Sequence, residues 1–318
     1  MVQQELFQVI KPGIQTTFQD MGRTGYQQFG VPVSGAMDRF SLQVANILAG
    51  NKRTSPCLEI TLVGPTLLAK TTMTIVITGA DLSPTCNGEP IAMWKTVRIE
   101  EGDELVFGKH QSGVRAYLAV SGGFETPAYF GSSSVDGNSG FGKSLEIEDA
   151  IKGYPVMEKT GISLANTLIP IYQKEVKVSL IEGPHTDYFT QADRNTFFTE
   201  TYKVGANSNR MGYRLEGPAI KPEKVTVWSD GIPFGGVQIT SAGEPIILMS
   251  DRQTTGGYPR IGTVSSTDIP KIAQLIPGGE VSFKRVSVEK AEEDARKEAQ
   301  FLIRLEQFRQ HIERGKKA

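Results

Sequence analysis

Cysteine and histidine are both scarce in this chain of 318 residues, which carries two of the first and three of the second. Cys57 and Cys86 cannot build a disulfide framework, and no Cys/His spacing matches a zinc site, so no metal is expected. No run approaches the roughly 18 apolar residues that a bilayer-spanning helix needs. Net charge is almost absent as well: 34 Lys and Arg stand against 35 Asp and Glu, a formal balance of −1. A chain this neutral has no global field to draw it to nucleic acid or to an anionic membrane. Met1 to Phe7 lacks the basic and apolar regions of a signal peptide. The expectation is a soluble cytoplasmic protein acting on a small molecule, with neither nucleic acid nor membrane as partner.

Glycine, in contrast, is abundant at 34 residues, and short apolar runs alternate with Gly, Pro, Asp and Asn. Candidate strands cover residues 74–78, 97–99, 104–107, 116–120, 176–181, 225–228, 237–239, 246–249 and 281–283, with Gly102-Asp103 as a hairpin signal. Helices are few. Asp38 can cap a segment that buries Phe40, Val44, Ile47 and Leu48 and stops at Gly50-Asn51. Thr186 can cap a second near Tyr188 to Phe198, and Thr267 a third that carries Ile269, Ile272 and Ile276 and ends at Pro277-Gly278. From Ser287 the composition turns to strong helix formers, with Val288, Ala291, Ala295, Ala299, Leu302 and Leu305 on one stripe: a long amphipathic helix. Many strands with few helices predict a mainly β protein of barrels or sandwiches. Arg23-Thr-Gly-Tyr26 with Gly30 matches Arg210-Met-Gly-Tyr213 with Gly217, which suggests two halves of similar fold meeting near residues 165–176.

Chemistry concentrates after the apolar run Pro245 to Met249. There an acid (Asp251), a guanidinium (Arg252), an amide (Gln253) and two hydroxyls (Thr254, Thr255) are followed by Gly256-Gly257 and Tyr258-Pro259. Unlike polar groups on a loop held by a rigid strand suit ligand recognition, and a solvated hairpin turn is the plain alternative. Arg210 and Arg252 can fork a carboxylate or carboxamide. Equally, Arg23 and Arg210 can pair with Asp side chains as braces. His185, in Gly183-Pro-His185 after a strand, is placed as an acid/base or as a helix-start residue bonding its own backbone. Gly137 to Ser144 satisfies the P-loop pattern to the letter. Yet Phe130 to Asp136 before it reads as loop and Leu145 to Asp149 after it as strand, so the strand–loop–helix context that cradles phosphate is absent.

Several long matches in order then carry a resemblance: Thr17 to Gly25, Gly30 to Asp38, Ala45-Asn46, Leu58-Glu59 with Gly64-Pro65, Thr78 to Asp81 and Ala119 to Phe124. They continue with Gly183 to His185, Asn209 to Gly217, Ser229 to Gly231 and Asp251 to Pro259. With these the chain resembles the biotin-dependent carboxyltransferase-like family, which includes the C component of 5-oxoprolinase, KipA and the second subunit of allophanate hydrolase. The resemblance implies two cyclophilin-like β-barrel halves, at 1–168 and 169–286, followed by the helix at 287–318. It implies an ATP-dependent 5-oxoprolinase complex that opens a cyclic amide to glutamate. The partners would be a smaller cyclophilin-like subunit, of the 5-oxoprolinase B-component or KipI type, together with the A component. A KipA-type antagonist of a histidine-kinase inhibitor is the alternative, as is a carboxyltransferase or allophanate hydrolase-like subunit, for which biotin would come on another chain. Asp251, Arg252 and His185 are the expected catalytic residues. Arg210, Gln238, Gln253, Thr254, Tyr258, Asp38 and Asn46 are the expected substrate contacts. Where the family has Gly-Ser-Arg-Ser, this chain has Gly131-Ser-Ser-Ser134.

Overall fold

The computed structural model describes residues 2–223 and 227–314. It is mainly β and divides into two compact units. The first holds residues 1–23, 34–172 and 300–318, the second 24–33 and 173–299. Among the described residues no helix is long and apolar enough to cross a membrane.

The first unit is built from two sheets. One has the strand order Ala150–Gly153, Gln4–Lys11, Thr66–Ala69, Glu104–Val106, Thr85–Cys86, Glu89–Pro90. The other runs Gln15–Gln19, Cys57–Thr61, Ser112–Val120, Met73–Asp81, Thr96–Ile99. Alternate residues of the strands meet in one apolar core that includes Leu6, Leu67, Leu105, Ile60, Ile75 and Leu118. The central strands Met73–Asp81 and Ser112–Val120 are buried on both faces, because the Arg39–Ala49 helix covers the side away from that core. Val44, Ile47 and Leu48 of the helix pack there with Val76, Tyr117, Ala119 and Trp94, which is only 4% exposed. Asp38 caps this helix by accepting from the Ser41 amide, and Gly50 ends it at φ 77°.

The second unit closes a seven-stranded barrel. Its order is Glu175–Glu182, Arg260–Val264, Gly236–Ile239, Pro245–Leu248, Gly212–Glu216, Tyr202–Val204, Glu280–Arg285. Glu280–Arg285 then pairs in parallel with Glu175–Glu182, so no barrel strand is left as an edge. Phe197, Tyr202 and Phe283 stack at one place in this unit, with Phe197 and Phe283 centroids 4.5 Å apart.

Several expectations need correction. The second helix runs Gln191–Thr199, capped by Thr190 and not Thr186, because Thr186–Tyr188 tightens into a 3-10 turn. The third is shorter than predicted, Ile269–Ala273, with Asp268 before it. That carboxylate binds the Ser179 amide and Lys271 and does not cap the helix. The candidate strand at 225–228 lies mostly outside the described residues, and Val227 and Trp228 form no strand. The C-terminal helix spans Val288–Arg314, but Val288 and Ala299 are exposed. Its buried contacts in the first unit come from Leu302, packed beside Phe301 and Leu305, and from Arg309, which donates to the Leu48 carbonyl and pairs with Glu158 at 2.9 Å. The two Arg-x-Gly-Tyr segments also differ locally. Gly25 turns the chain at φ 93°, whereas Gly212 opens a barrel strand.

Candidate functional site

In the second unit, the segment after the Pro245–Leu248 strand is anchored at its base by charge. Arg210 grips Asp251 with two bonds, Nε to Oδ2 at 2.7 Å and Nη2 to Oδ1 at 2.9 Å. Both side chains are almost fully buried, at 6% and 8% exposure, and the Asp251 amide also donates to the Arg210 carbonyl. Bidentate geometry in a low-dielectric setting makes this a strong tie. The Arg252 guanidinium turns inward as well. It donates to the carbonyls of Ile232 and Met249 and lies 5.5 Å over the Phe234 ring. The first two charged residues of the loop thus fasten it to the segments carrying Arg210 and Ile232.

The later residues face outward. Gln253 and Thr255 are exposed, as is Tyr258 at 42%. The Thr254 carbonyl accepts from Ile232, and Thr255–Gly256 forms a small antiparallel pair with Asp230–Gly231. Gln238, on a barrel strand, reaches the Tyr258 carbonyl at 3.5 Å. A Cβ at position 256 would sit 2.9 Å from the Gln238 amide nitrogen, so the glycine permits that approach. Beside it, the Val227 amide donates to the Gly257 carbonyl, and the neighbouring Trp228 is 96% exposed.

His185 stands at the far end of the same loop. Its Nδ1 accepts from the Arg260 amide at 3.2 Å, and its ring lies 5.3 Å from Tyr188. Partial burial, then the nearby Arg260 cation, lower its pKa, while Asp230 opposes them. The ring is therefore held neutral more firmly than a free histidine. With Nδ1 accepting, the proton sits on Nε2, which becomes a donor. Arg260 binds Asp230 at 3.1 Å and the Gly231 carbonyl at 2.9 Å, joining His185 to the Asp230–Gly231 pair. Sequence reasoning passed over Arg260, although it directly follows Tyr258-Pro259.

Asp38 and Asn46 belong to the first unit. Asp38 accepts from the Ser41 hydroxyl at 2.7 Å and from Tyr172 at 3.4 Å. Its amide donates to the Tyr117 hydroxyl, which in turn donates to Glu59 at 2.7 Å. Glu59 also accepts from the Met37 amide and faces Arg115. Burial, followed by the negative charge of Glu59 and Asp38, raises the Tyr117 pKa, so the phenol stays protonated. Asn46 is fully buried: its amide donates to the Ser55 carbonyl and Cys57 sulfur and accepts from Asn51. Its contacts hold the end of the helix to the Ser55–Cys57 segment. Tyr117 gave no polar signal in the sequence, since it lies inside an apolar strand.

The Gly131 to Ser134 turn wraps Asp20. That carboxylate accepts from the hydroxyls of Ser132 and Ser134, each at 2.6 Å, and from the Ser133 and Gly22 amides. Arg23 donates to the Ser134 and Tyr129 carbonyls and lies 4.7 Å from the Phe141 ring. The P-loop pattern has neither a strand before it nor a helix after it, and Lys143 is exposed, paired with Glu146 and Asp149. The strand–loop–helix setting of a P-loop is therefore not formed around it.

Comparison with known proteins agrees with this architecture. The family described as carboxyltransferase domain, subdomain A and B, matches residues 29–285. The chain is 33% identical to the C component of 5-oxoprolinase from Escherichia coli over 90% of its own length and 93% of that protein. It is 32% identical to the component of the same name from Haemophilus influenzae, over 91% and 94%. Among solved structures, K. lactis urea amidolyase superposes with a TM-score of 0.88 at 31% identity, over 96% of this chain but 20% of that much longer one. The chain therefore belongs to the carboxyltransferase-domain family and is homologous to the C component of 5-oxoprolinase and to the matching region of urea amidolyase.

Proposed function

We propose that this chain is the C component of an ATP-dependent 5-oxoprolinase, helping to open 5-oxoproline to glutamate beside a smaller barrel protein and the A component. The observation that supports the reading is that two bacterial C components of 5-oxoprolinase are 33% and 32% identical to this chain over 90% and 91% of its length. In this reading the Asp251–Arg210 tie and the inward Arg252 hold the loop in shape. Gln253 and Thr254 offer hydrogen bonds to the lactam amide, with Gln238 steadying the loop from the barrel. Tyr258 lies against the ring, and the Nε2–H of a neutral His185 donates to an oxygen on which charge develops. Neither Gly137 to Ser144 nor its lysine fits a triphosphate, so ATP is assigned to the partner proteins and no step on this chain runs through it.

A second reading, carboxyl transfer between biotin and an amide, is favoured by the high structural likeness to urea amidolyase. Biotin would arrive attached to another chain. Purifying this chain with its small barrel partner and the A component, then measuring ATP-dependent glutamate release from 5-oxoproline, tests the first reading. Activity with all three proteins, absent when this chain is omitted, is expected. No release, with binding to the small barrel partner intact, would favour a KipA-type regulator. Arg252→Lys, which cannot keep both bonds to the Ile232 and Met249 carbonyls, should lower turnover together with the melting temperature if the fork holds the loop in shape for substrate. Loss of fold would make Arg252 a brace alone.

A further inference from the structure

Where the barrel of the second unit closes, the first unit stays open. Gln15–Gln19 ends one of its sheets and Ala150–Gly153 ends the other. Between these two edge strands lies a cavity of about 670 Å³, within the range of small-molecule sites. Phe18, Val135, Leu145 and Ile151 give it apolar walls, and Phe18 is steadied edge-on by Phe124 at 5.3 Å. None of its lining residues is among those assigned above to substrate.

Its surroundings narrow the occupant. A gap between edge strands invites an added peptide strand, but the edges here are already engaged. The Thr16 and Phe18 carbonyls accept from the Leu145 and Val135 amides, and the Lys152 carbonyl accepts from Glu125. What remains to be read is side chains. The Thr126 hydroxyl donates to Ser133 at 2.7 Å, which leaves the proton of Ser133 for an incoming acceptor. Lys143 is held by Glu146 at 2.6 Å and by Asp149. Lys152, exposed at the rim, makes no ion pair among the described residues. Glu125 is exposed on the same lining and likewise makes no ion pair among the described residues, so an anion would have to be held at Ser133 and Lys152 with its apolar body against the walls.

We propose that this open seam is a second ligand site, for a small monocarboxylate with a compact apolar body such as an aryl or short alkyl chain. The carboxylate bonds Ser133 and Lys152 while the apolar part displaces water from Phe18 and Leu145. The Gly-rich loop through Gly142 and Lys143 then acts as a wall of this site.

Calorimetric titration of the full-length protein with phenylacetate tests this, with phenylacetamide as the uncharged isostere. Phenylacetate should bind and phenylacetamide should bind at least about tenfold more weakly, the factor expected of a charge-assisted bond. Lys152→Met, at an exposed position that folding tolerates, should weaken phenylacetate by a similar factor. Ala150→Phe should block the cavity, with its melting temperature as the check on folding. Gln253→Ala, at an exposed position in the other unit, should leave phenylacetate binding unchanged. The proposal is overturned by absence of phenylacetate binding at millimolar concentration, by equal binding of the amide, or by indifference to Lys152→Met. Binding abolished by Gln253→Ala would place the ligand in the second unit and overturn it too. None of these outcomes depends on whether the chain serves a 5-oxoprolinase.

Discussion

Replacing Asp251 by Asn keeps the shape of the side chain but removes the charge that faces Arg210. The guanidinium would stay where its side chain is 6% exposed, with an amide that can accept one of the two bonds now at 2.7 and 2.9 Å. Breaking a buried pair by neutralising one partner costs about 3–5 kcal/mol. Because the Asn oxygen still accepts one of the two bonds, the lower end, about 3 kcal/mol, is expected. At roughly 3 °C per kcal/mol for a unit of this size, the melting temperature should fall by about 9 °C. Urea unfolding of the wild type, Asp251→Asn, Arg210→Gln and the double variant completes a cycle. The double variant should recover part of the loss, since no uncompensated cation is then buried. A cost for Asp251→Asn below about 1 kcal/mol would match a surface pair and refute the view that this tie anchors the loop.

Tyr117→Phe strips the Asp38 amide and Glu59 of a shared hydroxyl, so unfolding free energy should drop by about 1–3 kcal/mol with the helix still formed by circular dichroism. An unchanged urea midpoint would mean water replaces the hydroxyl. For His185 the folded pKa lies below the ordinary 6.5, so the unfolded chain takes up its proton first as pH falls. Its contribution to stability is then full above pH 6.5 and is lost as pH drops through the folded value. Unfolding measured across that window should show wild type weakening relative to His185→Gln on acidification. Parallel curves would show that His185 does not titrate differently in the two states.

Strands were easiest to read where a continuous apolar run is buried on both faces, as in Met73–Asp81, or where apolar residues alternate, as in Glu175–Glu182 and Glu280–Arg285. Gln4–Lys11 escaped because Gln4, Glu5 and Lys11 at its exposed ends break the pattern, and Gln15–Gln19 because its buried positions are held by Thr16, Thr17 and Gln19. Asp38 was legible as a cap, since a short carboxylate before an apolar helix has few other uses. Thr186 and Thr190 offered the same hydroxyl four residues apart, and only tertiary contact decides between them. The Asp251 to Tyr258 loop stood out by composition. An Asp-paired brace was one of the two readings open for Arg210, and Asp251 is its partner; that Arg252 also points inward could not be read, because the partners of a guanidinium are set by segments far apart in the chain. Tyr117 shows the converse limit, a polar contact carried by a residue that reads as core.

The chain's two tryptophans give each unit its own optical signature. Trp94 sits in the first unit beneath the Arg39–Ala49 helix at 4% exposure, and Trp228 stands in the second at 96%. The buried indole emits toward the blue and resists a collisional quencher; the exposed one emits toward the red and yields to it. A single fluorescence spectrum therefore contains two separable channels. A ligand settling near Gly257 would alter only the red component, whereas loosening of the two-sheet unit would shift only the blue.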